Sequence, residues 1–135
     1  MAEMKPGLAP GIEGKKEIVV TEELTAAALG SGLLPVFGTP ALVALMEETC
    51  HTSVGEFLEE GQGTVGIGIS VRHLAASPIG MKITCNAKLI SVEGRALTFS
   101  VEAFDEVEKI GTALHERFII DNEKFMNKAS AKGTL

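Results

Sequence analysis

The stretch Phe37-Gly-Thr-Pro-Ala-Leu-Val-Ala-Leu-Met-Glu-Glu-Thr-Cys-His51 limits what this chain can become more than any other. It contains no helix breaker after Pro40, and Gly38-Thr39-Pro40 is a start signal. Thr39 can cap, and Pro40 suits the first helical position, where a missing N–H is not needed. A long central helix is predicted from about Pro40 to Leu58, stopped by the glycines of Glu59-Glu60-Gly61-Gln62-Gly63. At about 100° per residue, Pro40, Val43, Ala44, Cys50, His51, Val54 and Leu58 lie within roughly 60° of Glu47. Glu47 is therefore expected in a stripe of mostly small apolar residues, and Glu48 on a solvated face with Thr52, Glu56 and Glu59. A carboxylate in an apolar stripe must be paired, hydrogen-bonded or protonated.

After Thr64 the apolar period changes to two, which is strand spacing. Val65, Ile67, Ile69, Val71 and His73 fall on one face, and Thr64, Gly66, Gly68, Ser70 and Arg72 on the other. Ser77-Pro-Ile-Gly80 reads as a turn, Met81 to Val92 as a strand and Glu93-Gly94-Arg95 as a hairpin turn. Ala96 to Phe104 alternates cleanly, Asp105 to Lys109 turns, and Ile110 to Ile120 returns. Ahead of the helix, Lys16 to Thr21 is a β-rich run, Glu22 to Leu29 fits a helical turn or two, and Gly30 to Pro35 is a loop. The expected class is α+β: a strand, a long central helix, and four strands in an antiparallel meander that forms a curved sheet around the helix. Residues 1–14 are expected to be a flexible N-terminal arm and 15–135 a single domain ending in a polar C-terminal tail, with one helical turn near Phe125.

Composition narrows the function. A chain of 135 residues, 45% hydrophobic, supports one domain with a proper core. The net charge of −6, with no basic block, no tryptophan and no tyrosine, argues against nucleic acid as a partner. No run approaches the length of a membrane span, and the first fourteen residues, with two prolines and three glycines, do not read as a secretory leader. Cys50 and Cys85 are too few for a disulfide framework and fit small core residues, so the expected compartment is cytoplasmic. Metal-ligand spacings such as CxxC, HxH or HExxH are absent, and no metal is expected.

Several residues carry possible chemistry, each beside a structural reading. His73 and Glu47 are expected to point into the same layer between sheet and helix. A carboxylate accepting from one ring nitrogen supports the other as acid or base; the same pair can equally be a satisfied core contact. Thr39 is either an N-cap or a nucleophile activated by an adjacent base. Eight residues of straight helix rise about 12 Å, so a capping Thr39 cannot touch Glu47 in its own helix. A later helix start, a bridging histidine or a second subunit resolves that distance. Gly66 either admits a ligand to the backbone, offering an N–H to an oxyanion, or marks a bulge. Arg117 is either a surface ion pair or a contact to a phosphate or carbonyl. Lys124, Lys128 and Lys132 can hold phosphates or simply be solvated.

Thr39, Leu45-Met46-Glu47 with Cys50, His73-Leu-Ala-Ala-Ser-Pro-Ile-Gly80, Ser91-Val-Glu-Gly-Arg95 with Leu97, Ile110-Gly111, His115-Glu116-Arg117 and Glu123-Lys124-Phe125 recur here in a fixed order and spacing. In these residues, from Lys16 to Lys128, the chain resembles the fluoroacetyl-CoA thioesterase family of hot-dog-fold acyl-CoA thioesterases. The resemblance implies a hot-dog fold, a homodimer with active sites where two sheets join, and hydrolysis of a small acyl-CoA to free acid and CoA. It implies a catalytic set falling on Thr39, Glu47 and His73, with Gly66 and Arg117 binding the substrate. No cofactor is implied, because CoA is part of the substrate. The chain departs from the fluoroacetate specialist at two lid positions, where that enzyme's phenylalanines are replaced by Gly30 and Leu33. Two other functions use the same fold: acyl-CoA binding without turnover, and hydration or dehydration of enoyl thioesters.

Overall fold

A computed structural model describes residues 7–134. A five-stranded antiparallel sheet curves around one long helix. The strands are β1 (Glu13–Val19), β2 (Gln62–His73), β3 (Lys82–Glu93), β4 (Ala96–Phe104) and β5 (Lys109–Asp121); the helices are α1 (Ala26–Leu29), α2 (Thr39–Val54) and α3 (Asn122–Ala131). The strand order is β1-β3-β4-β5-β2, which leaves β1 and β2 as edges.

The central helix forms where the sequence places it, with two adjustments at its ends. Gly38, not Thr39, is its N-cap; Pro40 stands in the first turn; and the α-helix gives way to a 3-10 turn at Gly55–Phe57. Gly38 is required by close approach, since a Cβ there would lie 3.0 Å from the backbone nitrogen of Ala26. With the cap supplied by backbone alone, the Thr39 hydroxyl is free for another partner.

The buried face of α2 is Ala41, Leu42, Leu45, Met46, Thr49, Cys50 and Val54. Glu47 lies outside that face, with a side chain 41% exposed, so the buried face is rotated by roughly 130° from the stripe expected around Glu47. The helix is apolar over so much of its circumference that hydrophobicity does not fix its orientation. The polar Thr49 is tolerated inside because its hydroxyl donates to the Leu45 carbonyl at 2.7 Å. Leu42, Met46 and Cys50 then pack on Ile83, Leu89, Leu97, Phe99 and Ile110 in one core. Each large side chain so buried contributes roughly 1.5–3 kcal/mol.

The sheet differs from a plain meander. Strands β3, β4 and β5 are joined by hairpins, the first a two-residue turn with Gly94 at φ 63°. Strand β2, however, pairs with β5 and not with β3. The segment after His73, where a turn was expected at Ser77–Gly80, is a crossover that threads past the start of α2: the Phe37 N–H donates to the Ser77 carbonyl, and the Gly80 N–H to the Val20 carbonyl. Eight residues are too many to force neighbouring strands together.

A bulge in β2 changes which residues face the helix. Gly66 pairs with Arg117 and Gly68 with Glu116, leaving Ile67 as the extra residue, 57% exposed. One inserted residue swaps the two faces of a strand. Beyond the bulge Ile69 and Val71 pack on the core as expected; before it Thr64 and Gly66, not Val65 and Ile67, face the helix side.

At the N-terminus, β1 begins at Glu13, the Gly11 N–H donates to the Leu89 carbonyl, and Leu8 and Ile12 pack against the core. Within the arm expected over 1–14, Leu8, Gly11 and Ile12 are thus tied to the sheet and core; residues 1–6 lie outside the described residues. The C-terminal tail holds a ten-residue helix, α3, where one turn was expected; every residue of it is exposed. Among the described residues no helix is long and apolar enough to cross a membrane.

Candidate active site

The expected site residues form two clusters within one chain. The first is at the start of α2. His73 ends β2, and its Nδ1 lies 2.8 Å from the Thr39 Oγ1. Thr39 is exposed, so its hydroxyl can be reached from solvent. The His73 ring stands edge-on to Phe37, with centroids 6.3 Å apart. Its Nε2 is buried and has no hydrogen-bond partner. Burial holds the His73 pKa below its ordinary 6.5, so the ring is neutral at pH 7 and able to accept a proton. An open cleft of about 360 Å³ borders this pair, lined by Ala26, Ser31, Phe37, Ala75 and both residues of the pair.

The second cluster is centred on Arg117. Its Nη1 donates to the Glu47 carboxylate at 3.3 Å and to the His115 Nε2 at 3.0 Å; its Nε donates to the Thr64 hydroxyl at 2.8 Å, and its Nη2 to the Thr64 carbonyl at 3.0 Å. Four of the five guanidinium N–H groups are thereby used within the protein. Arg117 is 7% exposed. Burial lowers its pKa and Glu47 raises it; a guanidinium remains a cation there. Of the two readings of Arg117, an ion pair is present, and it is internal. Gly66 adjoins the same carboxylate: a Cβ on Gly66 would lie 2.5 Å from the Glu47 Oε2. Glycine is therefore needed for Glu47 to stand where it does.

Within one chain, Glu47 has no hydrogen bond or ion pair to His73 or Thr39 among the described residues; its partners are Arg117 and His115. Within one chain the histidine beside Glu47 is His115, whereas the sequence reading set Glu47 beside His73. His115 was quoted there only as a neighbour of Arg117, although the alternation Ala113, His115, Arg117, Ile119 carries its signal: all four are buried on one face of β5. Lys124, Lys128 and Lys132 belong to the exposed C-terminal helical segment. Cys50 and Cys85 are free, buried thiols; burial pushes Cys50 up to about 12, which makes it an inert core residue.

Comparisons with known proteins agree on one lineage. The family described as "Fluoroacetyl-CoA-specific thioesterase" matches residues 20–123. A fluoroacetyl-CoA thioesterase of Streptantibioticus cattleyicolor is 45% identical over 97 residues, which is 72% of this chain and 70% of that protein. The crystal structure of a phenylalanine-to-alanine mutant of the fluoroacetyl-CoA-specific thioesterase superposes with a TM-score of 0.89 at 38% identity, covering 95% of this chain and 99% of the other. A Thermus thermophilus hypothetical protein, a thioesterase superfamily member, gives 0.87 at 31% identity, covering 97% of this chain and 96% of its own.

Proposed function

This chain belongs to the fluoroacetyl-CoA-specific thioesterase family of hot-dog acyl-CoA thioester hydrolases, and we propose that it cleaves a small acyl-CoA at a site shared between two protomers. The observation that carries this reading is the 2.8 Å contact between the exposed Thr39 hydroxyl and a neutral, half-buried His73. It is a nucleophile beside a base, at the mouth of a cleft.

In the proposed mechanism His73 takes a proton from the attacking oxygen, either that of Thr39 or that of a water. The oxygen adds to the thioester carbonyl. Backbone N–H groups at the Gly66–Gly68 bulge or at the start of α2 stabilise the oxyanion; one such donor is worth about 3–4 kcal/mol. The C–S bond then breaks and CoA departs as a thiolate; with a thiol pKa of about 8.5, it needs little help from an acid. If Thr39 attacks, water hydrolyses the acyl-enzyme in a second step. Glu47, held by Arg117, is the carboxylate of the site, and Gly66 lets the acyl group approach it. Side chains and water supply all of this chemistry, and CoA enters only as part of the substrate.

A homodimer accounts for the separation of the two clusters. Thr39 and Glu47 stand about 12 Å apart along one helix, while β2 is an open sheet edge bearing Gly66, exposed Ile67, Gly68 and Ser70 beside Glu47. Pairing two such edges buries them and brings one protomer's Glu47 towards its partner's Thr39–His73. The free thiols of Cys50 and Cys85 support a reducing, cytoplasmic location. The lid positions of the fluoroacetate specialist hold Gly30, which caps α1 at φ 75°, and Leu33, which is 94% exposed. An acyl preference other than fluoroacetyl follows.

The test is thiol release from short, branched, aromatic and fluoroacetyl CoA esters, run beside Glu47→Gln and His73→Ala. Each substitution is expected to lower turnover at least about a hundredfold. Near wild-type turnover in both folded variants would overturn the assignment. CoA-ester binding without thiol release, or a hydroxyacyl product from a crotonyl thioester, would replace hydrolysis with carriage or hydration.

A further inference from the structure

His115 is among the most buried polar groups described, at 1% exposure, and the mechanism above gives it no task. Both ring nitrogens are engaged. Nδ1 lies 2.8 Å from the Gly68 carbonyl and Nε2 lies 3.0 Å from the Arg117 Nη1. These contacts admit one tautomer. A carbonyl only accepts and a guanidinium only donates, so Nδ1 carries the proton and Nε2 accepts. The other tautomer would set acceptor against acceptor and donor against donor.

Its two partners matter to the site. Gly68 closes the bulge that turns Gly66 towards the helix, and Arg117 holds the Glu47 carboxylate, whose Oε2 is 3.7 Å from the His115 Nε2. We propose that His115 is a positioning residue: its neutral Nδ1–H form ties the β2 bulge to Arg117 and thereby fixes the Glu47 carboxylate against Gly66. The catalytic consequence rests on the thioesterase reading of Glu47; the tautomer and its two contacts do not.

The surroundings keep the ring neutral. The charged groups whose fields reach it are Arg117 and Glu116 on its own strand and Glu47 on α2; β4 presents the Phe99 ring, and β2 the Gly68 carbonyl. Burial lowers the His115 pKa first, and Arg117 adds to that; the Gly68 carbonyl, Glu47 and Glu116 pull the other way without reversing it. Protonation would put a second donor on Nε2, facing the Arg117 donor. Nε2–H would then turn to Glu47, and Arg117 would lose its place.

The experiment compares His115→Leu and His115→Gln with the wild-type protein. Leucine removes both contacts; a glutamine amide restores one donor and one acceptor without a titratable proton. His115→Leu is expected to fold and to lose about a hundredfold in kcat, the scale of a misplacement of about 1 Å, with KM within about threefold, because the ring orients a carboxylate and does not hold substrate. His115→Gln is expected to recover most of that loss, and its kcat should fall less steeply below pH 6.5 than the wild type's. Folded His115→Leu with kcat within about threefold of wild type would overturn the proposal, as would superimposable pH profiles for wild type and His115→Gln. If His115→Leu fails to fold, the ring 15N shifts of the three histidines in wild-type protein decide the matter. A proton on Nδ1 at pH 7.5 supports the proposal; one on Nε2, or on both, overturns it. That readout needs no turnover, so a protein inactive on every acyl-CoA would count against the activity and not against the tautomer.

Discussion

The two clusters flanking the central helix are built in opposite ways. At the start of α2, Thr39 and His73 share one hydrogen bond, Thr39 is exposed, and the His73 Nε2 has no partner. At the Glu47 side, Arg117 makes four donor contacts, His115 uses both ring nitrogens, and Glu47 has two cationic or polar neighbours. A nucleophile and its base need unspent bonding capacity, because bonds to substrate must replace those to protein. A carboxylate that has to meet a developing charge gains from being held in advance, since orientation is then not acquired at the transition state. On the proposed reading, the first cluster is left open to react and the second is tied down to aim.

The sharpest way to break this comparison is to ask whether the halves meet across a dimer. His73→Ala and Glu47→Gln are each nearly inactive as homodimers on the proposed reading. Unfolded together and refolded, half of the dimers carry one variant of each kind. If each site draws its Thr39–His73 from one protomer and its Glu47 from the partner, one site of every mixed dimer is intact. The mixture should then reach about a quarter of wild-type turnover, a rise of about twenty-five-fold over parents reduced a hundredfold. A site contained in one protomer would also be restored in neither parent half, so mixing would leave both at their starting rate.

A smaller effect separates aim from stability within the Glu47 cluster. In Gly66→Ala the new Cβ would meet the Glu47 Oε2 at 2.5 Å, while its next neighbours, on Arg117 and His115, lie at 3.3 Å. The end of a half-exposed glutamate moves more cheaply than backbone or core. Turnover is expected to fall roughly ten- to a hundredfold, in line with a displacement of about 1 Å, with the melting temperature changed by no more than about 4 °C. A Gly66→Ala protein with normal turnover would show that the carboxylate need not stand against Gly66.

These clusters were unequally legible in the sequence for the same reason that they differ in build. The helix, the clean alternation of β4, and the chemistry of Thr39 and His73 are local: a start signal, a period and a residue type. The Glu47 cluster is made by residues seventy positions apart, and its composition depends on two facts that no period reveals. One is the pairing of β2 with β5, hidden behind a crossover that reads in sequence as a turn. The other is the bulge at Ile67, which places Thr64 and Gly66 beside Arg117; strict alternation assigns them to the opposite face. The helix face was misplaced because Thr49, a polar residue, is buried by a bond to its own backbone. Only one turn of the ten-residue α3 was expected, because none of its residues is buried and no apolar stripe marks its full length. His115 was available: it keeps the buried parity of β5, and a histidine between Ala113 and Ile119 on that face has to be satisfied by something.

The least effect, and the one that tests whether the tied cluster also supports the fold, is the response of stability to pH. The folded pKa of both His73 and His115 lies below the ordinary 6.5 because burial disfavours the charged ring. A group of this kind binds more protons unfolded than folded through that window, so stability rises with pH there. Its contribution is complete above about pH 6.5 and is lost progressively as pH falls from 6.5 through the folded pKa. The melting temperature is expected to be a few degrees, about 2–5 °C, lower at pH 5 than at pH 7.5. In His115→Gln the tied cluster no longer contributes a titrating ring, and the drop should shrink; in His73→Ala the open cluster is silenced instead. A larger reduction from His115→Gln than from His73→Ala is expected, because protonation sets the His115 Nε2–H against the Arg117 N–H, whereas a protonated His73 can still donate to the Thr39 hydroxyl. Equal reductions would mean that burial alone, and not the bonding around each ring, distinguishes the two histidines.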